Sequence, residues 1–322
     1  MSDEANESSN SAYFASIDVG TNSVLLTIAR GIELRVVKQR ATVTRLGQDV
    51  DRTGVLHPAA QERTLDCLRN YRTLMDEFSL TGARAVGTSA CRDAEGGTQF
   101  VQRASEVLGF PLEVISGADE AALTFSGALH GLSLSGETFV FDIGGGSTET
   151  IIADANTAQI EFAHSFDIGS VRLSERLQLS DPPSPRQVAE LRHAIDETLS
   201  SIPPLKTRAL NVVGVAGTVT TLAAIWQEMG NYDPARIHGS RLPVSELRKW
   251  ADRIVGMSVA ERLTLPGLAR GRADVIGAGA QLCAALVELT SSSHLIVSDR
   301  GVRFGLLRDL AAAHFDCPAE PQ

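Results

Sequence analysis

The sequence predicts an α/β protein of two similar domains, each with a mixed sheet flanked by helices. Two observations carry this prediction. One segment is repeated at the distance of a whole domain, and after each copy helical and β-rich segments alternate along the chain. With 322 residues, 43% of them hydrophobic, the chain holds enough apolar material for a core in each domain.

The repeat aligns ASIDVGTNSVLLTIA at 15–29 with FVFDIGGGSTETIIA at 139–153, without gaps. Each copy has a β-rich run, a turn that contains aspartate and glycine, and a second β-rich run, which is the pattern of two strands joined by a tight loop. A repeat at this spacing indicates two copies of one fold rather than a solenoid. The expected boundaries are a disordered polar tail at 1–12, domains at 13–133 and 134–314, and a second tail at 315–322.

The pattern of apolar residues predicts the remaining elements. Besides the two strands of the first repeat, the predicted strands are 33–44, 83–88, 111–115, 137–143, 147–153, 158–166, 210–215 and 294–298. The predicted helices are 58–78, 98–108, 118–132, 185–201, 218–228, 244–255, 272–289 and 302–313. Each half is therefore expected to be a three-stranded meander followed by alternating helices and strands.

Composition excludes several classes of protein. The net charge of −10 has the wrong sign for non-specific attraction to nucleic acid, so an anionic substrate has to be bound locally. No apolar run approaches the roughly 20 residues that a membrane span needs, and the acidic start has no secretory pattern. The four cysteines form no C-x-x-C pair, which indicates reduced thiols without structural zinc. We expect a cytoplasmic protein that binds neither nucleic acid nor a membrane.

The second copy of the repeat contains the loop DIGGGSTE, whose composition suits a phosphate. Its glycines let backbone N–H groups approach the anion, and its hydroxyls can donate to the phosphate oxygens. The candidate ligands in this loop are Gly144, Gly145, Gly146, Ser147 and Thr148. The first copy, DVGTNS, adds Thr21, Asn22 and Ser23. A glycine-rich hairpin with incidental acids explains one such loop equally well. Two copies favour phosphate binding, since facing loops would hold the anion from both sides of one cleft.

Acidic residues beside these loops predict a metal site. Asp142 and Glu149 supply hard oxygen ligands suited to Mg²⁺, with Mn²⁺ as the second candidate. Such a cation would neutralise charge on a phosphate chain. Asp18 either holds the metal through water or caps its turn.

Two further segments follow predicted strands. GVAGTVTTL opens a helix, so Gly217 and Thr218 are candidates for binding another anion, although close packing of strand on helix also requires glycine. GTSACRDAE places Arg92 at a strand end, the usual position of functional side chains in an open α/β sheet. Arg92 is therefore the candidate for clamping a terminal phosphate, and a salt bridge to Asp93 is the alternative.

The segment ISGADEAAL holds the candidate base. Ser116, three residues before Asp119, forms a capping-box pattern, and Glu120 lies in the first turn of the helix. Stabilisation of a helix start is the simpler explanation of these acids. A hydrolase, however, needs a base to orient and deprotonate water, and no histidine lies next to a candidate phosphate loop, which leaves Glu120 by elimination. Asp119 remains the alternative.

Arginines near the C-terminal end are candidates for a channel that binds more distant phosphates, because the planar guanidinium suits bidentate phosphate contacts. They are Arg270, Arg272, Arg300 and Arg303. Surface salt bridging is the commoner role of such residues.

Taken in order, the motifs DVGTNS, GTSACRDA, ISGADEA, DIGGGSTE, GVAGTVTTL and GVRFGLL resemble those of the exopolyphosphatase and guanosine pentaphosphate phosphohydrolase family. The resemblance runs from about residue 13 to 313. It implies two ribonuclease-H-like domains of the actin-like ATPase superfamily, with the active site in the cleft between them, Mg²⁺, and usually a homodimer.

By motif position, the resemblance places the family's catalytic glutamate at Glu120 and its phosphate-clamping arginine at Arg92. The acidic metal-site residues fall on Asp142 and Glu149, and the phosphate loops on 21–23 and 144–147. Phe304 departs from the family, because many relatives have glutamate there. The chain also ends before the HD-type domain of long members, so we expect the short form with a shorter phosphate-binding track.

The activity implied is hydrolysis of the terminal phosphoanhydride of inorganic polyphosphate. The alternative substrate is pppGpp, which would need a pocket for guanine and ribose. From other classes, an actin-like ATPase scaffold and a sugar kinase share the fold, but those proteins generally carry larger insertions or a second substrate site.

Overall fold

The structure is a computed structural model that describes residues 12–208 and 210–315. These residues form two units. The first comprises the described residues up to Gly127 together with those from Val302 onward, and the second comprises those from Ala128 to Gly301.

The sequence assigned 302–314 to the second domain, and this is wrong, because the closing helix packs on the first unit's sheet. The first boundary lies at Gly127 rather than at 133. Ala12, expected in the tail, is buried. The rest of both predicted tails, 1–11 and 316–322, lies outside the described residues.

The elements follow the predicted order closely. The strands are β1 Tyr13–Val19, β2 Ser23–Arg30, β3 Arg35–Val43, β4 Leu80–Gly87, β5 Leu112–Val114, β6 Glu137–Ile143, β7 Thr148–Asp154, β8 Ile160–Phe166, β9 Asn211–Val215, β10 Arg241–Pro243 and β11 His294–Val297. The helices are α1 Val50–Thr53, α2 Pro58–Met75, α3 Ser89–Asp93, α4 Gly97–Leu108, α5 Gly117–Leu129, α6 Ser170–Arg176, α7 Pro185–Leu199, α8 Ala216–Trp226, α9 Pro234–Ile237, α10 Val244–Val255, α11 Val259–Arg262, α12 Ile276–Glu288 and α13 Val302–Phe315. A 3-10 turn covers Arg270–Arg272.

Each unit contains one mixed sheet, as predicted. The first sheet has the strand order β3-β2-β1-β4-β5, with an antiparallel meander followed by parallel β4 and β5. The second has the order β10-β11-β9-β6-β7-β8 and the same arrangement, extended by the antiparallel edge strand β10. The repeat is preserved in register, since Asp18 lies opposite Leu25 and Asp142 lies opposite Glu149.

Apolar side chains cover both faces of the first sheet. On one face, residues of β1 and β2 such as Ile17 and Leu26 pack with Leu68 and Phe100 of α2 and α4. A smaller cluster on the other face includes side chains from α13. Phe304 belongs to that cluster and is fully buried. A lone glutamate at this position would be a charge buried among apolar groups, which explains why this chain has an aromatic residue there.

The core of the second unit lies between its sheet and helices α7, α8, α10 and α12. Helix α12 consists mostly of small and apolar residues, and nearly every residue along it is buried. Cys67, Cys91 and Cys283 are free and buried, and Cys317 lies outside the described residues. None of the described helices is long and apolar enough to span a bilayer.

Gly305 lets helix α13 pack closely on α5. A Cβ atom added there would overlap the backbone oxygen of Leu123. We expect Gly305→Ala to lower the free energy of unfolding by about 1–3 kcal/mol, although alanine favours a helix over glycine. Denaturant unfolding measures this. Gly230→Ala is the control, because nothing lies within 4 Å of the added Cβ there. Equal stability of the two variants would contradict the packing argument.

Candidate active site

The two loops of the repeat have the same backbone geometry. In the first unit the N–H of Gly20 donates to the carbonyl oxygen of Ser23 at 3.0 Å, and in the second Gly144 donates to Ser147 at 3.0 Å. The glycine and serine that the alignment matched therefore close equivalent turns at the ends of β1 and β6. The turns fix the direction of the intervening backbone amides, which are the groups suited to an anion.

In the first unit the loop is held by neighbouring segments. The hydroxyls of Thr21 and Ser89 lie 2.9 Å apart in a buried hydrogen bond. The carbonyl oxygen of Asn22 accepts from the N–H groups of Thr44 and Arg45 at 3.1 and 2.9 Å. These contacts tie the loop to the start of α3 and to the end of β3, so it is a rigid element rather than a free turn.

Arg92 and Glu120, singled out separately from the sequence, form an ion pair with Nη1 3.3 Å from Oε2. The same Nη1 donates to the carbonyl oxygen of Ile115, and Nε donates to Asp93. Burial lowers the pKa of Arg92, but the carboxylates of Glu120 and Asp93 outweigh it, so the net shift is upward. The expected alternative, a salt bridge to Asp93, is thus present together with the contact to Glu120.

Glu120 and Asp119 have different surroundings. The Asp119 side chain is exposed and accepts from the hydroxyl of Ser116 at 2.7 Å, while its N–H donates to that hydroxyl at 3.1 Å. It therefore closes the predicted helix cap. Glu120 is only 6% exposed and faces Arg92. Of the two acids, Glu120 is the one that lies beside a cation.

Asp18 and Arg303 lie in a buried polar region on the α13 side of the first sheet. Arg303 donates from Nη1 to Thr27 Oγ1 at 3.0 Å. Within the described residues nothing hydrogen-bonds to Asp18 Oδ1. Burial raises the pKa of Asp18 to about 6, and the positive charge of Arg303 offsets part of that shift. An acceptor with this environment is suited to a cation or to a water that donates to it.

In the second unit the glycine loop packs on the start of α6. The carbonyl oxygen of Gly145 accepts from the N–H groups of Val171 and Arg172 at 2.9 and 3.0 Å. Thr148 was expected to donate its hydroxyl to phosphate, but this is wrong, because the hydroxyl is buried and donates to the carbonyl oxygen of Ile168 at 2.6 Å. Ser147 is also nearly buried, at 4% exposure.

Asp142 and Glu149 lie opposite each other on β6 and β7. Glu149 is buried and accepts from the hydroxyl of Ser165 at 2.6 Å, which orients it. Among the described residues no three His, Cys, Asp or Glu side chains gather as a metal cluster. Mg²⁺ is commonly held by one or two carboxylates, with water and phosphate completing its shell. The pair therefore fits the donor chemistry of Mg²⁺ or Mn²⁺.

The loop after β9 lies against the side chain of Arg272. A Cβ atom added to Gly217 would overlap the guanidinium of Arg272, so that group lies directly on the glycine at the start of α8. Packing of strand on helix, the alternative explanation, applies to Gly214, where an added Cβ would touch Phe141 and Val219. Thr218 lies beside them in the first turn of α8 and is buried.

Two of the arginines predicted to line a channel make internal hydrogen bonds, and one of them is buried. Arg303 is 8% exposed and hydrogen-bonds inside the first unit. Arg300 donates to the carbonyl oxygen of His130 at 2.9 Å. A guanidinium that is bound to an internal acceptor and removed from water, as Arg303 is, does not line a surface track for distant phosphates, whereas Arg300 is partly exposed. Arg270 is exposed.

Sequence reasoning missed the groups that hold the loops. Ser89 contacts Thr21, and Ser170 at the start of α6 donates to the carbonyl oxygen of Gly144. Ser89 stands within the quoted GTSACRDAE motif, so its small hydroxyl at a strand end was a usable signal. Helix α6 itself was not predicted, because its seven residues are too few for a helical pattern to be recognised.

The fold and these loops define a class first, an α/β enzyme with glycine turns at strand ends, where functional groups of open α/β sheets usually lie. The chain belongs to the Ppx/GppA phosphatase family, whose model matches residues 24–314. The predicted family and its two mixed-sheet units are thereby confirmed.

Individual relatives agree with this assignment. The chain is 40% identical to exopolyphosphatase 2 of Mycobacterium tuberculosis, over 92% of this chain and 98% of that protein. It is 28% identical to a guanosine-5'-triphosphate,3'-diphosphate pyrophosphatase of Aeromonas salmonicida, over 96% of this chain but 62% of that protein. The crystal structure of the Aquifex aeolicus family member is 32% identical, with a TM-score of 0.79 over 96% of this chain and 99% of its own.

The raised pKa of Asp18 predicts a pH-dependent stability. Since its folded pKa is about 6 against 3.8 ordinarily, the folded protein holds more protons between these values and loses stability as the pH rises through them. Asp18→Asn removes this loss. We expect the free energy of unfolding of Asp18→Asn, minus that of wild type, to increase by roughly 3 kcal/mol between pH 3.5 and pH 7. Urea unfolding with EDTA present checks this. A constant difference across the range would contradict it.

Proposed function

We propose that this protein is an exopolyphosphatase, which hydrolyses the terminal phosphoanhydride of inorganic polyphosphate and releases orthophosphate. The observation that carries the reaction is the ion pair between Arg92 and the buried carboxylate of Glu120. The similarity to exopolyphosphatase 2 over nearly the full length of that relative favours polyphosphate over pppGpp.

Arg92 retains donors for a phosphate. Its Nε and Nη1 bind Asp93, Ile115 and Glu120, whereas no acceptor within the described residues hydrogen-bonds to Nη2. The side chain is 26% exposed. A guanidinium held by three partners, with two N–H groups left over, is preorganised to bind phosphate oxygens as charge develops on them.

Glu120 is placed to act as the base. It lies in the first turn of α5, buried beside the Arg92 cation. The oxygen of a bound water attacks the terminal phosphorus while the bridging P–O bond breaks. The water's proton passes to Glu120, and the shortened chain leaves. Backbone amides of 21–23 and 144–147 are proposed to hold the phosphate oxygens.

Asp142 and Glu149 are proposed to hold Mg²⁺, or Mn²⁺, with Asp18 contributing through water. When bound, the cation neutralises charge on the phosphate chain.

Three further expectations stay predictions: an active site in a cleft, a homodimer and a cytoplasmic location. Light scattering after size-exclusion chromatography tests the dimer.

A substrate panel tests the proposed function. Purified protein is assayed with Mg²⁺ for orthophosphate release from tripolyphosphate, long polyphosphate, pppGpp and ATP. We expect polyphosphate to be hydrolysed with the highest kcat/KM. Faster turnover of pppGpp would assign the protein to the pentaphosphate phosphohydrolases instead, and turnover of ATP alone would indicate an ATPase.

Replacing the base should remove the reaction without unfolding the protein. We expect Glu120→Gln to lower kcat by roughly 10² to 10⁴, because glutamine keeps the size but cannot accept the proton. The control is Asp119→Asn, since Asp119 caps the helix and does not face Arg92. It should lose far less activity. Normal turnover of Glu120→Gln would remove this residue from the mechanism.

The metal assignment is tested by titration. We expect Asp142→Ala and Glu149→Ala each to raise the Mg²⁺ concentration that gives half-maximal rate, because each removes an oxygen donor. Asp154→Asn, at the far end of β7, is the control. Unchanged titration curves and rates for both alanine variants would leave these acids with a purely structural role.

A further inference from the structure

Strand β3 concentrates positive charge on one edge of the first unit's sheet. Its sequence, RVVKQRATV, contains Arg35, Lys38 and Arg40 and no acidic residue. Arg35 and Arg40 are exposed, and Lys38 is partly exposed. The net charge of the chain is −10, so three cations on one nine-residue strand make this edge locally positive.

These cations have no acidic partners. Within residues 12–208 and 210–315, no carboxylate forms an ion pair with Arg35, Lys38 or Arg40, and the contact that Arg40 makes is a hydrogen bond from Nη1 to the backbone oxygen of Gln39. Several other arginines of the same unit pair with a carboxylate. The pairs are Arg52 with Asp49, Arg69 with Asp66 and Arg103 with Glu62.

The second unit supplies an internal comparison. Strand β8 occupies the equivalent edge of the repeated meander, and its sequence, IEFAHSF, has no lysine or arginine. The fold of this edge therefore does not require basic residues. Protection of an open edge against pairing with other chains needs charge, but not three charges of one sign.

The strand that carries these cations ends beside the candidate phosphate loop of the first unit. Val43, at the end of β3, pairs with Ser23, and the next two N–H groups donate to the carbonyl oxygen of Asn22. At roughly 3.4 Å per residue, Arg40 lies about 10 Å and Arg35 about 27 Å along the strand from Val43. The strand thus leads away from the loop proposed to hold a terminal phosphate.

We propose that the outer edge of β3 is a binding track for the distal part of a linear polyphosphate chain. The cations Arg35, Lys38 and Arg40 bind successive phosphates and release the counterions condensed on the polyanion. The unpaired edge of the strand adds backbone N–H donors. This inference rests on the proposed function and gives it a chain-length preference. It takes the role that the sequence had assigned to Arg300 and Arg303.

The test compares two variants with matched charge. Variant A carries Arg35→Gln, Lys38→Gln and Arg40→Gln. Variant B carries Arg52→Gln, Arg69→Gln and Arg103→Gln, which changes the net charge equally at paired positions. For variant A we expect the ratio of KM for long polyphosphate to KM for tripolyphosphate to rise roughly tenfold or more, with a shallower salt dependence. For variant B we expect no change in the ratio.

A third variant separates binding from edge protection. Arg35→Glu, Lys38→Glu and Arg40→Glu keeps the edge charged, so aggregation is prevented, but it repels a polyanion. We expect it to weaken long-chain binding more than variant A. Binding is measured directly, by anisotropy of end-labelled long polyphosphate on a Glu120→Gln background, so that the result does not depend on turnover.

The outcomes distinguish the inference from the proposed function. If wild type hydrolyses long polyphosphate and variant A keeps the wild-type ratio and affinity, the track is overturned while the function stands. An equal loss in variant B also overturns the track, because bulk charge would then explain it. If polyuridylate of equal phosphate number binds β3 as tightly as polyphosphate, the site is a nucleic-acid surface instead. Failure of wild type on every polyphosphate overturns the function itself.

Discussion

In both units one backbone hydrogen bond, from the glycine N–H to the serine carbonyl oxygen, closes the turn between the first two strands, and the candidate ligands depend on it. It fixes where β1 and β6 end, and therefore where the residues around each turn point. Because strand pairing has a period of two, a slip of one residue would turn Asp142 and Glu149 to the opposite face. The same slip in the first unit would take Asp18 out of the buried region beside Arg303.

The two copies of this turn have diverged in what surrounds them. The first is held by side chains, through the hydroxyls of Thr21 and Ser89. The second is held by backbone, because Gly145 stands where the first has Thr21 and its carbonyl oxygen meets the start of α6. Likewise Glu149 replaces Leu25 at the position opposite the aspartate. One copy therefore lies in the unit that carries Arg92 and Glu120, the proposed base, and the other copy carries Asp142 and Glu149, the pair of acids suited to a metal.

A protein with a negative net charge can bind a polyanion only where positively charged side chains are concentrated locally. Several surface arginines here are paired with a neighbouring carboxylate, and pairs of this kind contribute little energy. Arg92 is instead held by acids that leave two of its N–H groups available. On β3, Arg35 and Arg40 face no carboxylate within the described residues, so this edge concentrates positive charge on a protein whose net charge is negative.

The sequence by itself determined the order of strands and helices, the two mixed sheets and the glycine turns, because these follow from local periodicity and from a repeat that needs no tertiary information. It also located Arg92 and Glu120, since both stand beside strand ends or helix starts.

Only the tertiary structure decided which arginines are available to bind phosphate. Arg303 and Arg300 follow a strand as Arg92 does, yet packing of α13 and the carbonyl oxygen of His130 occupy them. It also decided that Glu120 rather than Asp119 faces Arg92, because neighbouring residues on a helix point about 100° apart. Hydrogen-bond partners and burial depend on residues far away in the chain, and no local pattern records them.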